Sequence, residues 1–555
     1  MKRAGPTPRE RLHRVVRWLR IPANAASSAL LVALLVIAGR HCRTFLPNTI
    51  DDAFITFRYA DNLAHGRGLV FNPGERVEGT STFLETCALA LARVLGADIV
   101  DASRVIGVAS YGALIVGAFA LVRSVTPSYG RVLGLGAASL VASSMSLALY
   151  AMSGLETTLF AALLFLGVAL HLRAARAPSL GTKAWSLAMG AAALTRPEGV
   201  GYFLLLWGCA VLRDVTLDFS YRDVAKRAVR SVGWFATLYV PILFFRVVYF
   251  HALVPNTVTA KSHFLATFHG KSVQQVVDAL TAGAAAHHAA EYAAILGVAV
   301  YLIPAGLLRQ TTRYPTFVLL LMSAASLAVD ALDDGDWMPG WRLLTPAVAP
   351  IAVAIALGLG ALLFRSDQRL LRTQLPSLLI AIAVLEPAAV RLYPGGWTPS
   401  SMDDYRVSLG KKLASVRRDD DLMATDMAGI VPYYSGMRTI DMNGLCDREI
   451  ALHGLPYGPM GKIDRPYVIG RKPTFFQPNF VGEMHALWDD PAFAPMKGDY
   501  YAVITDEYRK GAGIRDRKLL VVRKDRPQEK ELIAALGGPQ LVQLVDLAQQ
   551  LKAER

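Results

Sequence analysis

Cysteine is scarce in this sequence, with four residues in a chain of 555. No two of them form a CxxC motif, so the sequence indicates neither a disulfide framework nor a metal site. A bridge between Cys42 and Cys446 stays open, but unpaired thiols are the favoured interpretation. Charged residues are also few, at 18% against 53% apolar, and the mean hydropathy is +0.35. This composition excludes an ordinary soluble enzyme and predicts a polytopic membrane protein.

Long uncharged runs mark the predicted membrane crossings, each near the ~20 residues that a helix needs to span a bilayer. The five strongest cover 21–39, 105–122, 132–155, 292–308 and 343–364. Shorter or charge-bearing candidates lie around 81–97, 156–172, 184–195, 199–212, 231–250, 314–330 and 374–391.

Charge distribution predicts the orientation of these crossings. Residues 2–20 hold seven Lys or Arg and one Glu, which indicates a cytoplasmic N-terminus, and no small-x-small cleavage site follows the first run. Further basic loops then place 40–80, 251–291 and 331–342 on the outer face. Four candidate crossings lie between the outer loop at 40–80 and the inner loop at 173–183. An even number of crossings returns the chain to the face where it began, so we expect that one candidate, 81–97, does not cross the membrane. About eleven crossings remain.

The C-terminal part has the composition of a soluble fold. The segments MATDMAGIVPYYSGMRTIDMNG, YYAVITDEY and KLLVVRK contain short β-prone runs, and ELIAALGG and PQLVQLVDLAQQLKAER have helical periodicity. The sequence therefore predicts a polytopic α-helical membrane domain, 1–399, followed by a small soluble extracytoplasmic α/β domain, 400–555. The net charge of +14 is accounted for by the basic cytoplasmic loops and gives little support to nucleic-acid binding.

Two adjacent carboxylates, Asp51 and Asp52, open the first outer loop. Apolar residues recur at helical spacing after them, and Gly66 suits a C-terminal cap, so 52–65 is predicted as an amphipathic helix lying along the membrane. One interpretation is that an acid merely caps this helix. The other is that an Asp removes a proton from an acceptor hydroxyl or coordinates a divalent cation that neutralises a phosphate.

Four basic residues in the outer loops and helix breaks are candidates for binding a phosphate, because fixed cations stabilise a departing phosphate oxygen. Each has a structural alternative. Arg58 could pair with Asp61 or Asp51, and Arg196 and Glu198 could neutralise each other. Lys261 and Arg342 could instead anchor the chain at the membrane surface. The candidates are Arg58, Arg196, Lys261 and Arg342.

Other polar residues are candidates for binding sugar hydroxyls. Those in the turn motif NPGERVEG could instead pair with Arg76 or Arg67, and Asn256 in Pro-Asn-Thr is either a hydroxyl ligand or a turn residue. The acidic segment at 333–336 is either a solvated turn or, with the following Trp, a cation site or sugar platform. The aromatic pair Tyr433–Tyr434 and Asp441 of the tail receive no role, because such aromatic pairs are more often core. The candidates for sugar or acceptor binding are Glu75, Glu78, Glu198, Asn256, Asp336 and Trp337.

A longer pattern is more specific than any single acid. It comprises IDDAFITFRYADNLAHGRGLVFNPGERVEGTST, SGLET at 153–157, LTRPEG at 194–199, VPNTVTAK at 254–261, DDGDWMPGWRLLTP at 333–346, and TDMAGIVPYYSG and IDMNGLCDREIA in the tail. Over most of 45–455 it resembles the GT-C class of membrane glycosyltransferases, and within it the family that includes the mycobacterial-type terminal β-(1→2) arabinofuranosyltransferase.

That resemblance implies an enzyme of a bacterial inner membrane. It would transfer a sugar, D-arabinofuranose above all, from a polyprenyl-phosphate donor to a cell-envelope glycan, lipid or protein on the outer face. Asp51 and Asp52 match the catalytic acids, one as general base and the other as an acceptor-orienting or cation-binding group.

The competing function is a transporter or flippase of lipid-linked sugars, because interrupted helices and intramembrane charges also occur in carriers. Two features favour transfer: the motifs cluster on one predicted face, and the chain shows no repeated halves. An acyl or phosphate-group transferase is less favoured, because no His or Ser motif suited to acyl transfer is present.

Overall fold

The computed structural model describes most of the chain. The described residues are 22–46, 49–126, 129–177, 181–261, 302–332, 338, 340–363, 401–457, 461–477, 491, 498–504, 519–526, 529–536 and 540–543.

The first part of the described chain is entirely helical. Its elements are α1 (Pro22–Arg43), α2 (Ala53–Ala64), α3 (Phe83–Val94), α4 (Ile99–Val125), α5 (Gly130–Ala142), α6 (Met145–Met152), α7 (Thr157–Arg176), α8 (Lys183–Thr195), α9 (Gly199–Thr216), α10 (Tyr221–Phe250), α11 (Asn256–Lys261), α12 (Gln310–Leu332), a 3₁₀ helix (Arg342–Ala347) and α13 (Val348–Leu363).

Seven of these segments are long and apolar enough to cross a membrane, by length and composition, within the described ranges. They are Ala25–Arg43, Ile99–Val125, Thr157–Arg176, Gly199–Thr216, Tyr221–Phe250, Gln310–Leu332 and Arg342–Leu362. The pair α5 and α6, bent by 56°, makes an eighth if it is one span, and it occupies the predicted run 132–155. The chain is therefore a multi-pass membrane protein.

Two predicted spans form helices that are too short to cross by themselves. Helix α3 has 12 residues, about 18 Å at 1.5 Å per residue, and it covers the segment that the loop count had already excluded. Helix α8 has 13 residues, so 184–195 is also shorter than the crossing expected there. The predicted span 374–391 lies outside the described residues, and of 292–308 only 302–308 are described, as helix.

Close helix packing builds the core of the membrane domain. Helix α4 packs against α5 and α7, and small residues at the contacts let the backbones approach. At Gly107 in α4 an added Cβ would lie 2.2 Å from the carbonyl oxygen of Ala151 in α6, so only glycine fits there. The helix ends that carry the motif-bearing loops are thereby held at fixed positions.

The C-terminal domain is α/β, as the sequence predicts. Its elements are α14 (Ser401–Val416), β1 (Leu422–Thr425), α15 (Ile430–Ser435), β2 (Arg438–Asp441), α16 (Arg448–His453), β3 (Leu455–Tyr457), β4 (Gly461–Ile463), α17 (Arg465–Gly470), β5 (Phe475–Gln477), β6 (Tyr500–Ile504), β7 (Leu519–Arg523), α18 (Glu529–Ala535) and β8 (Gln540–Gln543).

Six strands form one sheet in the order β2-β1-β5-β7-β6-β8, and β3 pairs with β4 as a separate hairpin. Strand β1 is parallel to β2 and β5, whereas β7, β6 and β8 are antiparallel to their neighbours. The apolar strand residues pack against α14 and α18 in a small core that includes Leu409, Met423, Phe475 and Leu532.

The start of the last predicted helix is a strand instead. Residues Gln540–Gln543 pair with β6, with Ala502 opposite Val542. The segment QLVQ is too short for its helical periodicity to decide its structure, and pairing with the open edge of the sheet makes it a strand. The helical prediction for 539–555 is therefore wrong at 540–543.

Candidate active site

Helix α2 carries the acid pair at its start, and most of the helix is buried within the protein. Nine of its twelve residues are buried, including polar Thr56, Arg58 and Asn62. It packs against α3 and α4 on one side and α15 of the C-terminal domain on the other. The helix predicted over 52–65 is present and ends as expected, with Gly66 at φ +70°, but both its apolar and its polar residues are buried. Its position along the membrane stays a prediction.

Asp51 joins the two domains. Its carboxylate oxygens accept the backbone N–H groups of Gly429 at 3.0 Å and Ile430 at 2.9 Å, at the start of α15. Burial raises the pKa of Asp51 to about 6, because Arg406 and the two N–H groups only partly offset the loss of water. An added Cβ at Gly429 would lie 1.9 Å from the Asp51 carbonyl oxygen, so the approach demands glycine. Asp51 therefore caps α15 of the C-terminal domain, whereas the capping interpretation expected it to cap α2.

Arg58 is a second connection between the domains. Its guanidinium donates to the carbonyl oxygens of Phe71 at 2.8 Å, Pro432 at 2.7 Å and Met437 at 2.6 Å, and to Asn72 Oδ1 at 3.1 Å. It is 6% exposed. These bonds use four of the five N–H groups of the guanidinium, so Arg58 holds the two domains together, and its predicted phosphate-binding role stays a prediction. The expected pairing with Asp61 or Asp51 is wrong.

Residues of the NPGERVEG turn also contact the C-terminal domain. Glu75 pairs with Arg438 and accepts a hydrogen bond from Asn72 at 2.9 Å. Asn72 in turn exchanges two hydrogen bonds with the backbone of Thr439, at 2.8 and 3.0 Å. The expected partners Arg76 and Arg67 are wrong for Glu75, and its predicted sugar-binding role has no support in this geometry.

Glu78 and Asn256 are buried and engaged in a similar way. Glu78 accepts from Arg246 of α10 at 2.6 Å, again not from Arg76 or Arg67. The Asn256 amide donates to the carbonyl oxygens of Gly444 and Leu445, both at 2.9 Å. Both side chains therefore tie elements together, and neither is presented to a sugar. The residues whose contacts cross between the domains are called the docking cluster: Asp51, Arg58, Asn72, Glu75 and Asn256.

A different arrangement lies where α7 begins and α8 gives way to α9. Arg196 donates to Glu156 Oε1 at 2.8 Å and to Glu198 Oε1 at 2.7 Å, so one guanidinium holds two carboxylates. Burial alone would raise the pKa of Glu198, but Arg196 and, more weakly, Arg342 outweigh it and lower that pKa. The expected neutralisation of Arg196 by Glu198 is present. We call Glu156, Arg196, Glu198 and Arg342 the charged cluster.

The turn that carries Asp52 is tied to the SGLET loop. Ile50 N donates to the Ser153 carbonyl at 2.9 Å, which connects the Asp51–Asp52 turn to the loop that leads into Glu156. Asp52 is half-buried and makes no capping bond to its own helix. Its negative charge also acts on Asp51 and Asp441 and contributes to raising the pKa of each. Asp52 therefore lies within electrostatic reach of the C-terminal domain.

Glu85, at the start of α3, was given no role by the sequence. It is 2% exposed, and its Oε2 has no hydrogen-bond partner within the described part of the chain. Burial, reinforced by the charge of Glu156, raises its pKa well above the usual range. Glu85 is therefore a buried acid within electrostatic reach of Glu156 of the charged cluster. The sequence offered one signal for this acid: Glu85 lies inside the apolar run 81–97, which was not expected to cross the membrane.

The structure gives two of the remaining candidate residues a position in the chain, and the others lie outside the described ranges. Lys261 is the last residue of α11 and is half-buried, and Arg342 begins the 3₁₀ helix after Trp341. Asp336 and Trp337, with Asp333 and Asp334, lie outside the described residues. Within the described ranges, no group of three or more His, Cys, Asp or Glu could hold a metal ion.

The structure also assigns residues that the sequence left aside. Glu156 stands in the SGLET motif, which the sequence marked without naming this acid. Asp441 accepts from Asn443 N at 3.0 Å and Cys446 N at 2.7 Å, and burial raises its pKa to about 7. All four cysteines are unpaired, which confirms the prediction.

Comparisons with known proteins agree with this architecture. The family model described as a domain of unknown function, DUF8728, matches residues 401–534. No curated protein matches the sequence.

Solved structures match over most of the chain. ArnT from Cupriavidus metallidurans bound to undecaprenyl phosphate is 13% identical with a TM-score of 0.55, covering 92% of this chain and 99% of that one. The Archaeoglobus fulgidus oligosaccharyltransferase with Zn and sulfate is 12% identical with a TM-score of 0.54, covering 86% and 72%. The oligosaccharyltransferase AglB of the same organism, with an inhibitory peptide and a dolichol-phosphate, is 10% identical with a TM-score of 0.55, covering 94% and 78%.

These likenesses define the class of fold. The chain has the GT-C architecture of a polytopic helical membrane protein followed by a soluble domain. At such low identity they show the fold alone.

Proposed function

We propose that this protein is a membrane glycosyltransferase that transfers a sugar from a polyprenyl-phosphate donor. The motif resemblance favours D-arabinofuranose as the sugar, and an envelope glycan, lipid or protein as acceptor. The fold supports the donor class, because two of the similar structures hold undecaprenyl phosphate and a dolichol-phosphate. The basic N-terminus and loops support an active site on the outer face of a bacterial inner membrane.

One observation carries this proposal: acids and bases from separate motifs meet at one end of the helices. SGLET supplies Glu156, LTRPEG supplies Arg196 and Glu198, and the loop before α13 supplies Arg342. The Asp51–Asp52 turn of the first loop is connected to the SGLET loop by the hydrogen bond from Ile50 N to the Ser153 carbonyl. Charges placed at helix ends under a soluble domain suit transfer at a membrane surface, whereas a carrier holds its substrate near the bilayer midplane. This supports transfer over transport.

The two acids of the first loop differ in their freedom to act. Both oxygens of Asp51 accept backbone N–H groups, and the side chain is 6% exposed, so we assign it a positioning role. Asp52, half-buried, is our candidate for the general base. A base must reach the proton that it removes, so access decides here even though the pKa of Asp51 suits a base better.

The proposed step is a displacement at the anomeric carbon. A carboxylate oxygen of Asp52 takes the proton of the acceptor hydroxyl. At the same time the oxygen of that hydroxyl forms a bond to the anomeric carbon of the donor sugar. The bond from this carbon to the phosphate oxygen breaks, and its electron pair leaves on the polyprenyl phosphate. Arg342 and Lys261 are the candidates that balance the added negative charge. Arg196 is already paired with two acids and orients Glu156 and Glu198 for hydroxyl binding.

The test is transfer by the purified protein from synthetic polyprenyl-phospho-arabinofuranose to envelope acceptors. Loss of a general base costs about 10² to 10⁴ in rate, so we expect that Asp52→Asn lowers turnover at least about 100-fold without changing the melting temperature. Asp51→Asn should lower the melting temperature and reduce turnover less. Asp61→Asn, on the same helix but paired with Arg67 and Arg93 at the surface, is the matched control.

The proposal fails if folded Asp52→Asn keeps turnover close to that of Asp61→Asn. Donor specificity is tested separately by replacing arabinofuranose with another sugar on the same lipid. Equal turnover with both donors would leave the transferase class standing and remove the arabinofuranose assignment.

A further inference from the structure

The helices that carry the charged cluster enclose a cavity at their other ends. The cavity is small and is lined by the end of α7, the start of α8, the end of α9 and the start of α10. Helix α7 alone has 20 residues, about 30 Å at 1.5 Å per residue, so a membrane thickness separates this cavity from Glu156. The cavity is therefore distinct from the proposed active site.

The charges in this cavity do not balance. Asp214, 6% exposed, is shared by two guanidiniums: Arg213 Nη1 at 3.1 Å and Arg227 Nε at 2.8 Å. One carboxylate against two arginines leaves a net positive charge in a partly enclosed space, where the side chain of Arg213 is 15% exposed and that of Arg227 is 24% exposed. Such a charge is costly unless an anion accompanies it.

Arg227 also keeps unused hydrogen-bonding capacity. Its Nε–H lies close to Asp214 but out of hydrogen-bond alignment, and it finds no acceptor among the residues that the structure describes. Arg213, in contrast, donates to Asp214 and to the carbonyl oxygen of Ala175. A buried donor without an acceptor indicates a missing partner. Arg227 is the residue positioned to supply a planar guanidinium to an anion.

The walls of the cavity suit a molecule that is charged at one end and apolar at the other. Trp185 and Trp207 line it, and Trp207 Nε1 donates to the Ala228 carbonyl at 3.2 Å, which fixes the ring. Tryptophan is enriched where lipid headgroups meet hydrocarbon. Exposed basic residues surround the opening: Lys183, Arg222, Lys226 and Arg230.

We propose that this cavity binds a phosphate group, held by Arg227 and Arg213 with Asp214 orienting both guanidiniums. Arginine pairs suit phosphate because their N–H groups match its oxygens. An anionic phospholipid headgroup and a free phosphate share this chemistry. Basic pockets between membrane helices bind such headgroups, and the apolar walls favour the lipid source. The site stands independently of the proposed transferase activity.

The test measures the melting temperature of the full-length protein in detergent as ligand is added. Separate titrations use phosphatidylglycerol, inorganic phosphate and, as a zwitterionic control, phosphatidylcholine. We expect that phosphatidylglycerol stabilises the wild type and that Arg227→Gln weakens the apparent affinity about tenfold or more, because a charge-assisted contact is lost. Arg93→Gln removes an exposed basic residue that does not line the cavity, and this variant should respond like the wild type.

Each outcome bears on the proposal. A shift with inorganic phosphate that Arg227→Gln removes would support the site and identify a soluble ligand. Equal responses of wild type and Arg227→Gln, or of the two phospholipids, would overturn it, as would no shift with either phosphate source. Arg227→Lys guards against misfolding, because it keeps the charge and should retain part of the response.

Discussion

The docking cluster and the charged cluster contain the same kinds of side chain but use them differently. In the docking cluster, charged and amide groups bind mostly backbone: Asp51 accepts two N–H groups, and Arg58 donates to three carbonyl oxygens. In the charged cluster, side chains bind other charged side chains, with Arg196 between Glu156 and Glu198.

This difference separates structural from chemical roles within one set of motifs. A group that satisfies buried backbone cannot leave it without leaving that backbone unsatisfied, which costs about 1–3 kcal/mol per group. Carboxylates that share one guanidinium can exchange partners with a charged or hydroxylated substrate more readily. The residues that the sequence grouped as binding residues therefore divide between holding two domains together and meeting a substrate.

Arg196→Gln tests the charged cluster and should have the largest effect on stability. It leaves Glu156 and Glu198 facing each other without their cation, and breaking such a buried pair costs about 3 kcal/mol or more. We expect a lower melting temperature and a loss of turnover, measured in detergent. Arg93→Gln removes the exposed pair with Asp61 and should cost less than about 1 kcal/mol. If both variants melt alike, the charged cluster is not a coupled unit.

Arg58→Met tests the docking cluster, with a somewhat smaller expected effect of about 2 kcal/mol. Methionine keeps much of the side-chain volume but donates nothing to Phe71, Pro432 or Met437. Limited proteolysis between the domains and thermal melting should both report looser docking. The control Arg67→Met removes an exposed arginine that contacts Asp61 and Asn62. Docking that resists proteolysis equally in both variants would remove Arg58 from the connection between the domains.

The pH dependence of Asp51 is the smallest expected effect. Its pKa rises from 3.8 to about 6 on folding, so between these values the folded chain holds a proton that the unfolded chain has released. The Asp51 contribution to the free energy of unfolding therefore falls as pH rises through this window and stays level above it. Melting temperatures at pH 4 to 8 should show the wild type losing stability relative to Asp51→Asn, by a few degrees. Parallel curves for the two proteins would show that Asp51 titrates normally.

Some elements could be read from the sequence because their signals are local. The apolar runs at 105–122 and 343–364 became spans within Ile99–Val125 and Arg342–Leu362, and the β-prone runs of the tail became β1, β2, β6 and β7. The pairing of Arg196 with Glu198 was also foreseen, because two residues around a proline stay close whatever the fold.

Other expectations were wrong because distant segments decide them. The periodicity of α2 predicted an exposed polar face, but α15 packs against this helix and its polar Thr56, Arg58 and Asn62 are buried. Arg58 found partners about 375 residues away, at Pro432 and Met437, and no spacing in the first loop announces them. Residues 540–543 became a strand because the edge of β6 was available.

The sequence by itself determined that the chain is a multi-pass membrane protein with a small α/β domain, because hydrophobic length and periodicity are local properties. It also marked the motifs that supply the acids and bases. Only the tertiary structure decided which of these residues bind backbone and which bind each other. That choice depends on burial and on donors and acceptors brought together from hundreds of residues apart, and these exist only once the chain has folded.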